Sequence, residues 1–320
     1  MRFVNALLAA AIAGLGIASA SAVLGQEPAY QLRVDVPLVS VDVRVNDSRG
    51  QPLTSLTEKD FIVVEDGAEQ QIQAFSSVET PYNILLLFDR SGSTQDQWSF
   101  MQRASSRFMM NLRKQDSLAL GAFDDGLTML SAWNDPPREL EKALEELPKR
   151  GPGGGTNLYQ SLDRATQREF RNTTGRRALI VLTDGRDLSL DSRRRGSGAA
   201  DPVFARTYAT AQRARVPIYF VALNTDKNPS GSYGFSSGAI VVEARTRMES
   251  LANVTGGGVF FPKSIRDIVS VYDQISRDLS SSYTLAYISS KLAVQGQSHR
   301  IEVRVHDAKV NQSRETYTTP

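Results

Sequence analysis

The chain has no cysteine among its 320 residues and only two histidines. The missing cysteine excludes disulfides, thiolate metal ligands, nucleophilic thiols and a lipid-modified cysteine. The histidines, His299 and His306, lie in a predicted C-terminal strand region, where a single histidine is more often a surface or half-buried residue than a catalyst. Without a Gly-x-Ser-x-Gly elbow after a suitable strand, serine hydrolysis is not favoured either. The fold must therefore be stabilised by its core.

Neither sign of charge dominates the sequence. Lysine and arginine number 37, aspartate and glutamate number 35, and the formal net charge is +2. A chain with so small a net charge has no overall electrostatic field that favours binding to nucleic acid or to an anionic membrane. The basic run Arg193–Arg195 stands beside glycine and serine, a composition typical of a solvated loop. We therefore expect no nucleic-acid partner.

No apolar run near the start is long enough to span a bilayer, which takes about 20 residues. Arg2 precedes an apolar stretch from Leu7 to Ile17, and small residues follow from Ala18 to Ala22. This order is typical of a cleavable export signal. We expect residues 1–25 to be a signal peptide, and the mature protein to be periplasmic or secreted without a membrane span.

The N-terminal flank alternates apolar and polar residues. Every second residue from Val39 to Val45 is valine, a period of two that predicts a strand with one buried face. The dipeptide Asp66-Gly67 lies between the apolar runs Phe61–Val64 and Ile72–Phe75, which predicts a hairpin that joins the two runs. We expect residues 31–80 to form a β segment.

The C-terminal flank also has an apolar residue at every second position, as at Tyr283, Leu285 and Tyr287. This pattern predicts a second β segment over residues 281–320. A lone two-stranded unit is only marginally stable. We therefore expect the two flanks to pair into one small β-sandwich-like domain, with two independent β extensions as the alternative.

Between the flanks, residues 81–280 alternate apolar runs with amphipathic stretches. Ile84–Phe88 and Ala178–Leu182 are continuous apolar runs, typical of strands covered on both faces. Ile265–Leu279 has apolar residues at helical spacing. Strands and helices in alternation predict an α/β domain with a doubly wound, mostly parallel sheet.

Polar motifs follow the predicted strands at the positions where open α/β sheets bind their ligands. An Asp-x-Ser-x-Ser motif follows the first apolar strand, and Thr-Asp-Gly follows a later one. A glycine-rich loop between them ends in Thr-Asn at a predicted helix start. We expect these three loops to converge. The candidate ligands are Asp89, Ser91, Ser93, Thr156 and Asp184.

The ligand types indicate a hard cation. Two carboxylates and three hydroxyls form an all-oxygen set, which suits Mg²⁺ first, or Mn²⁺ or Ca²⁺, and disfavours Zn²⁺. Five side chains, some acting through water, leave room for one outside ligand. A carboxylate from a protein partner would satisfy both the geometry and the charge.

The three motifs together resemble the metal-ion-dependent adhesion site of von Willebrand factor type A domains, over roughly Tyr82 to Ser280. The resemblance implies a Rossmann-like domain in which Ser91, Ser93 and Thr156 are hydroxyl ligands. It also implies that the two aspartates reach the ion directly or through water. The flanks look like those of a bacterial, acidobacterial-type group of exported proteins with such domains. One departure is Thr94, where many relatives have an apolar residue.

Enzyme functions fit the motifs less well. A haloacid-dehalogenase-like phosphotransferase needs a second carboxylate where Ser91 stands, and a nucleotide P-loop needs a lysine near Thr156. We therefore expect a cation-dependent protein-binding or adhesion module and not an enzyme. Two alternatives stay open: a metal-assisted hydrolase, and a structural scaffold whose metal site does not function.

Specificity for a partner would come from residues around the metal. Arg90 and Asp187 are the nearest charged candidates. Two long loops, Arg186–Asp201 and Asp226–Ala239, are the other candidates, because loops of this length in a compact domain are either functional or disordered.

Overall fold

The computed structural model describes residues 38–151, 153–192, 201–214, 216–223, 236–291 and 296–319. The predicted signal peptide lies outside the described residues. So do Arg193–Arg195 and parts of the two long loops.

The described residues form strands and helices in the order that follows. The strands are β1 Leu38–Asn46, β2 Phe61–Glu65, β3 Ala68–Gln70, β4 Ile72–Ser76, β5 Tyr82–Asp89, β6 Ser117–Phe123, β7 Leu127–Met129, β8 Arg176–Thr183, β9 Ile218–Ala222, β10 Gly258–Phe260, β11 Ser282–Ile288, β12 Ser298–Val305, β13 Lys309–Gln312 and β14 Thr316–Thr318. The helices are α1 Trp98–Asn111, α2 Pro137–Glu146, α3 Leu158–Arg164, α4 Leu188–Ser192, α5 Pro202–Ala214, α6 Ser236–Thr255 and α7 Ile265–Ser280.

A six-stranded sheet organises the α/β part, with the strand order β10-β9-β8-β5-β6-β7. Its pairs are parallel except β6 with β7, which is antiparallel. The predicted doubly wound, mostly parallel sheet is therefore confirmed.

Strand β5 is apolar throughout because it is buried on both faces. Ile84, Leu86 and Phe88 belong to one core, which α1, α2 and α7 complete. Leu85 and Leu87 belong to a second core, which α3, α5 and α6 complete. Alternate side chains of a strand point to opposite faces of a sheet. Each face therefore needs its own apolar set, and the sequence supplies both within one uninterrupted run.

The strand register determines which polar residues meet at the carboxyl edge of this sheet. Asp89 pairs with Phe123 of β6, and Phe88 pairs with Leu182 of β8. Thr183 and Asp184 therefore leave β8 beside the position at which Asp89 leaves β5.

The flanking strands form two four-stranded sheets, ordered β13-β1-β11-β4 and β14-β12-β2-β3. Each sheet combines strands that precede the α/β part with strands that follow it. One apolar core lies against both sheets. Its fully buried members include Val41 of β1, Val63 of β2, Tyr283 of β11 and Ile301 of β12.

The hairpin after β2 differs from the prediction. Asp66 and Gly67 have φ values of 46° and 84° and close a two-residue turn that pairs Glu65 with Ala68. Positive φ at both positions suits the twist of a hairpin. The partner of β2 is thus β3, and the prediction that Ile72–Phe75 forms this partner was wrong. Those residues lie in β4, which pairs with β11 in the other sheet.

Within the described ranges, no helix combines the length and the apolar character that crossing a membrane requires.

Candidate metal centre

The first loop of the site begins where β5 ends at Asp89. The carboxylate Oδ1 of Asp89 accepts a hydrogen bond from the Ser91 amide at 2.9 Å. The Thr94 hydroxyl donates to the carbonyl oxygens of Asp89 and Ser91 at 2.8 and 3.1 Å, and the Trp98 indole donates to that hydroxyl at 3.3 Å. Thr94 is fully buried. The unusual threonine therefore fastens the turn that carries the candidate ligands.

The two serines of this loop converge. The Ser91 and Ser93 Oγ atoms lie 3.0 Å apart, as expected when alternate residues of a tight turn point to one centre. Ser91 is buried and Ser93 is exposed. The pair thus leads from the buried Asp89 carboxylate to the surface, where an outside ligand could approach.

The second loop follows β8 and brings another carboxylate to the same edge. The Thr183 hydroxyl donates to Asp89 Oδ2 at 2.6 Å and accepts from the Gly185 amide at 2.9 Å. Asp184 is buried, and its Oδ1 accepts from the Arg186 amide at 3.0 Å. The Arg186 guanidinium Nε lies 3.5 Å from Asp184 Oδ2, and the Arg186 side chain is 47% exposed.

Asp89 lacks a buried positive partner among the described residues. Burial first, and then the negative charge of Asp184, raise the pKa of Asp89 to about 7, against the opposing effect of hydrogen bonds from Ser91 and Thr183. Two buried carboxylates of like charge disfavour each other's ionised form. A divalent cation between them would remove this penalty, so the donor set fits a hard metal ion.

The glycine-rich loop lies between the other two. The Gly153 amide donates to the Arg90 carbonyl at 3.0 Å, and the Thr156 carbonyl accepts from the Leu188 amide at 3.0 Å. A Cβ atom on Gly153 would lie 2.2 Å from Asp124 Cβ, closer than atoms approach. The loop that carries Thr156 therefore needs glycine in order to pack against the end of β6.

Arg90 and Asp187, the residues expected to set specificity, both hold the loops together. Arg90 Nη1 lies 3.2 Å from Asp124 Oδ2, and Nη2 donates to the Gly151 carbonyl at 2.7 Å. The Asp187 carboxylate accepts from the amides of Tyr159 and Ser189 at 3.1 and 2.8 Å. Asp187 therefore caps the first turn of α3, the helix that follows Thr156.

Sequence reasoning missed Asp124 and Asp125, which follow β6 at the same edge. Asn157 ties the glycine-rich loop to both residues: its amide donates to the Asp124 carbonyl at 2.8 Å, and its side chain donates to the Asp125 carbonyl at 2.7 Å. The signal was available, because two aspartates directly after a buried strand of a parallel sheet lie at its carboxyl edge.

Residues 84–186 match the family model described as von Willebrand factor type A domain. These residues are similar to a von Willebrand factor type A domain. The matched range begins inside β5 and ends just after Asp184, so it includes every candidate ligand.

Solved structures of low sequence identity are similar to the chain. One is an aerotolerance-related membrane protein from Bacteroides fragilis, with 15% identity, 62% of this chain and 98% of that chain covered, and a TM-score of 0.45. A von Willebrand factor type A protein from Catenulispora acidiphila has 10% identity, covers 88% and 73%, and has a TM-score of 0.47. Proximal thread matrix protein 1 from the mussel byssus, described with a zinc occupied MIDAS motif, has 16% identity, covers 62% and 48%, and has a TM-score of 0.42.

Proposed function

We propose that the mature chain is an exported, divalent-cation-dependent protein-binding module in which an Asp or Glu of a partner completes the coordination of Mg²⁺. The observation that carries the proposal is the pair formed by Asp89 and Asp184, beside the converging hydroxyls of Ser91 and Ser93. Arg186 contacts Asp184 but is half-exposed, so it balances this buried negative charge only weakly. A bound dication would supply the missing positive charge.

The residues that would hold the ion are Asp89, Ser91, Ser93, Thr156 and Asp184. When bound, Mg²⁺ would offer an electrophilic position to an outside oxygen ligand. The two aspartates can at most neutralise a dication, and hydroxyl ligands add no charge. A third carboxylate is therefore attracted to the site, and the exposed side chain of Ser93 marks the side from which it would enter.

Binding fits the surroundings of the site better than catalysis. A metal-assisted hydrolase needs a general base within reach of the reacting atoms. Two of the neighbouring carboxylates among the described residues already have structural partners: Asp124 contacts Arg90, and Asp187 caps α3. Arg186 at the rim of the site adds a positive charge that would favour an acidic partner.

Thermal unfolding in Mg²⁺ and in chelator tests the metal site. A ligand at about 100 times its dissociation constant stabilises the folded state by about 2.7 kcal/mol, which raises the unfolding midpoint by several degrees. Asp89→Ala and the isosteric Asp89→Asn should abolish this rise. Asp96→Ala is the matched control, because Asp96 is an exposed aspartate of the same turn. If the Asp89 variants respond to Mg²⁺ as the parent does, the metal is bound elsewhere.

A pull-down from the native cell envelope in Mg²⁺ and in chelator tests the partner. We expect a partner that elutes with chelator and that Asp89→Asn does not retain. The acidic residues of that partner are then replaced singly by Asn or Gln. If no single replacement weakens the Mg²⁺-dependent binding, the carboxylate mechanism is wrong even if the metal site is real.

A further inference from the structure

A second cluster of titratable side chains lies in the β sheets formed by the flanks. Glu65 ends β2, Asp66 follows in the turn, and His299 lies on β12. The His299 Nδ1 atom lies 2.8 Å from Asp66 Oδ2 and 3.7 Å from Glu65 Oε1. One ligand atom from each of the three residues lies within 4.8 Å of the other two. The proposed Mg²⁺ site uses none of these residues.

The cluster contains more negative than positive charge. Glu65 is 0% exposed and His299 is 1% exposed, so water screens neither group. Even a protonated His299 would balance only one of the two carboxylates. Lys291 Nζ approaches Asp66 Oδ2 at 3.7 Å, but its side chain is 43% exposed, which makes the pair weak. A buried charge without a partner is costly, so this arrangement favours a further cation.

One oxygen of Glu65 is left without a hydrogen bond. Oε1 accepts from the hydroxyls of Ser289 and Tyr317 at 2.6 and 3.2 Å. Oε2 is buried and has no hydrogen-bond partner of good geometry within the described part of the chain. Burial raises the pKa of the nearby Tyr287 phenol, and its side-chain hydrogen bond and like charge with Glu65 raise that pKa further. Oε2 of Glu65 is therefore a buried donor atom that an ion could use.

We propose that Glu65, Asp66 and His299 form a second metal site, specific for a borderline dication such as Zn²⁺. Ligand atoms about 2.1 Å from an ion, at tetrahedral or octahedral angles, lie about 3 to 3.5 Å from one another. The separations of 2.8 and 3.7 Å from His299 Nδ1 are close to this range, so small side-chain movements would admit an ion. One imidazole and two carboxylates suit Zn²⁺ better than Mg²⁺, which prefers oxygen alone.

The role of this ion would be structural. Asp66 lies in the β2–β3 turn with a φ of 46°, and its Oδ1 accepts from the Arg300 amide at 2.8 Å. An ion shared with Glu65 and His299 would fasten this turn to β12. The metal would thereby stabilise the sheet that joins the two flanks of the chain.

Zn²⁺ titration of the metal-stripped mature chain carrying Asp89→Asn tests the site. This substitution removes a ligand of the proposed Mg²⁺ site, so that Zn²⁺ does not bind there. We expect one Zn²⁺ per chain by calorimetry and a higher unfolding midpoint. The chain has only two histidines, so the imidazole NMR signals of His299 and His306 can be assigned with a His306→Gln variant. Zn²⁺ should shift the His299 signals and leave those of His306 unchanged.

Conservative variants identify the ligands. Asp66→Asn should keep the turn, because asparagine tolerates positive φ. Glu65→Gln keeps an oxygen for Ser289 and Tyr317. Each should weaken Zn²⁺ binding at least tenfold. His306→Gln is the matched control, since the His306 side chain is 93% exposed, and it should bind Zn²⁺ as the parent does.

Two results would overturn the proposal. One is that the chain carrying Asp89→Asn takes up no stoichiometric Zn²⁺. The other is a His299 signal that Zn²⁺ leaves unchanged while protons titrate it, since His299 would then act only as an ion-pair partner of the carboxylates. Both measurements are made without altering the cluster, so they decide the question even if a variant fails to fold.

Discussion

At the scale of single residues, Thr183 supports the metal centre from the neighbouring strand. Its hydroxyl is fully buried and donates to Asp89 at 2.6 Å, while the Gly185 amide donates to it in turn. The hydroxyl thus fixes the carboxylate of the first loop and the backbone of the second. Groups that orient metal ligands in this way typically contribute about 10- to 100-fold in metal affinity.

We predict that Thr183→Val lowers Mg²⁺ affinity by about 10- to 100-fold, because valine keeps the shape of threonine but cannot hold the Asp89 carboxylate. Calorimetric titration of the folded variant with Mg²⁺ measures the change. Thr166→Val is the control: Thr166 is also buried, and its hydroxyl donates to the carbonyls of Leu162 and Asp163. Equal affinity in the two variants would mean that Thr183 does not position Asp89.

The local sequence predicts the candidate metal ligands but not the residues that orient them. Asp89 and Asp184 stand directly after apolar runs, so their place at the sheet edge follows from the sequence. The bond from Thr183 to Asp89 depends on the register between β5 and β8, across 94 residues of chain, and no local pattern encodes that register.

His299 was expected to be a surface or half-buried residue, but it is 1% exposed. A signal for its burial was present. His299, Ile301 and Val303 stand at every second position of β12, and the two apolar residues are also buried. Alternate residues of a strand lie on one face. The position of His299 in this pattern therefore predicts its burial better than its polarity does.

At the scale of elements, the glycine-rich loop is held by close packing against the end of β6. An added Cβ on Gly153 would meet Asp124 at both Cβ and Cγ, at 2.2 and 2.5 Å. Side-chain rotation cannot relieve this clash, because Asp124 Cβ is fixed by the backbone and the Asp124 carboxylate is paired with Arg90. The loop would have to shift, and Thr156 would shift with it.

We predict that Gly153→Ala destabilises the fold by about 1 to 3 kcal/mol, the usual cost of overpacking, and also weakens Mg²⁺ binding. Denaturant unfolding in chelator measures the first effect, and Mg²⁺ titration measures the second. Gly126→Ala is the control, because a Cβ there meets nothing within 4 Å. A variant with parental stability and parental Mg²⁺ affinity would show that the loop position is not critical.

Strands were easier to predict than their partners. The Asp66-Gly67 turn was found correctly, but its second strand was assigned to residues 72–75 instead of 68–70. A two-residue turn pairs the residues directly beside it, and the short β3 has too little apolar character to be recognised by pattern. The apolar residues of β4 belong to the other sheet, in which β4 pairs with β11.

At the scale of the whole molecule, the α/β part and the flanking sheets have separate cores. No buried residue of the two cores around the six-stranded sheet belongs to the core of the flanking sheets. Polar contacts join the two parts. They include an ion pair between Arg44 and Asp278, and a hydrogen bond from Arg314 to the Val254 carbonyl at 3.3 Å. Interfaces between domains of one chain are commonly polar in this way.

We therefore predict that residues 79–281 fold alone and keep their stabilisation by Mg²⁺. Residues 38–281, by contrast, should aggregate. That truncation removes β11, which lies between β1 and β4 in its sheet, and so exposes the buried valines of β1. Light scattering and thermal unfolding of the two fragments measure the difference.

A soluble, stable 38–281 fragment would show that the N-terminal strands need no partner from the C-terminal flank. An unfolded 79–281 fragment would show that the flanking sheets contribute to the stability of the α/β part, despite the separate cores. Fragment 79–281 also separates the two proposed sites, because it lacks Glu65, Asp66 and His299. It should respond to Mg²⁺, and the same fragment carrying Asp89→Asn should bind no stoichiometric Zn²⁺.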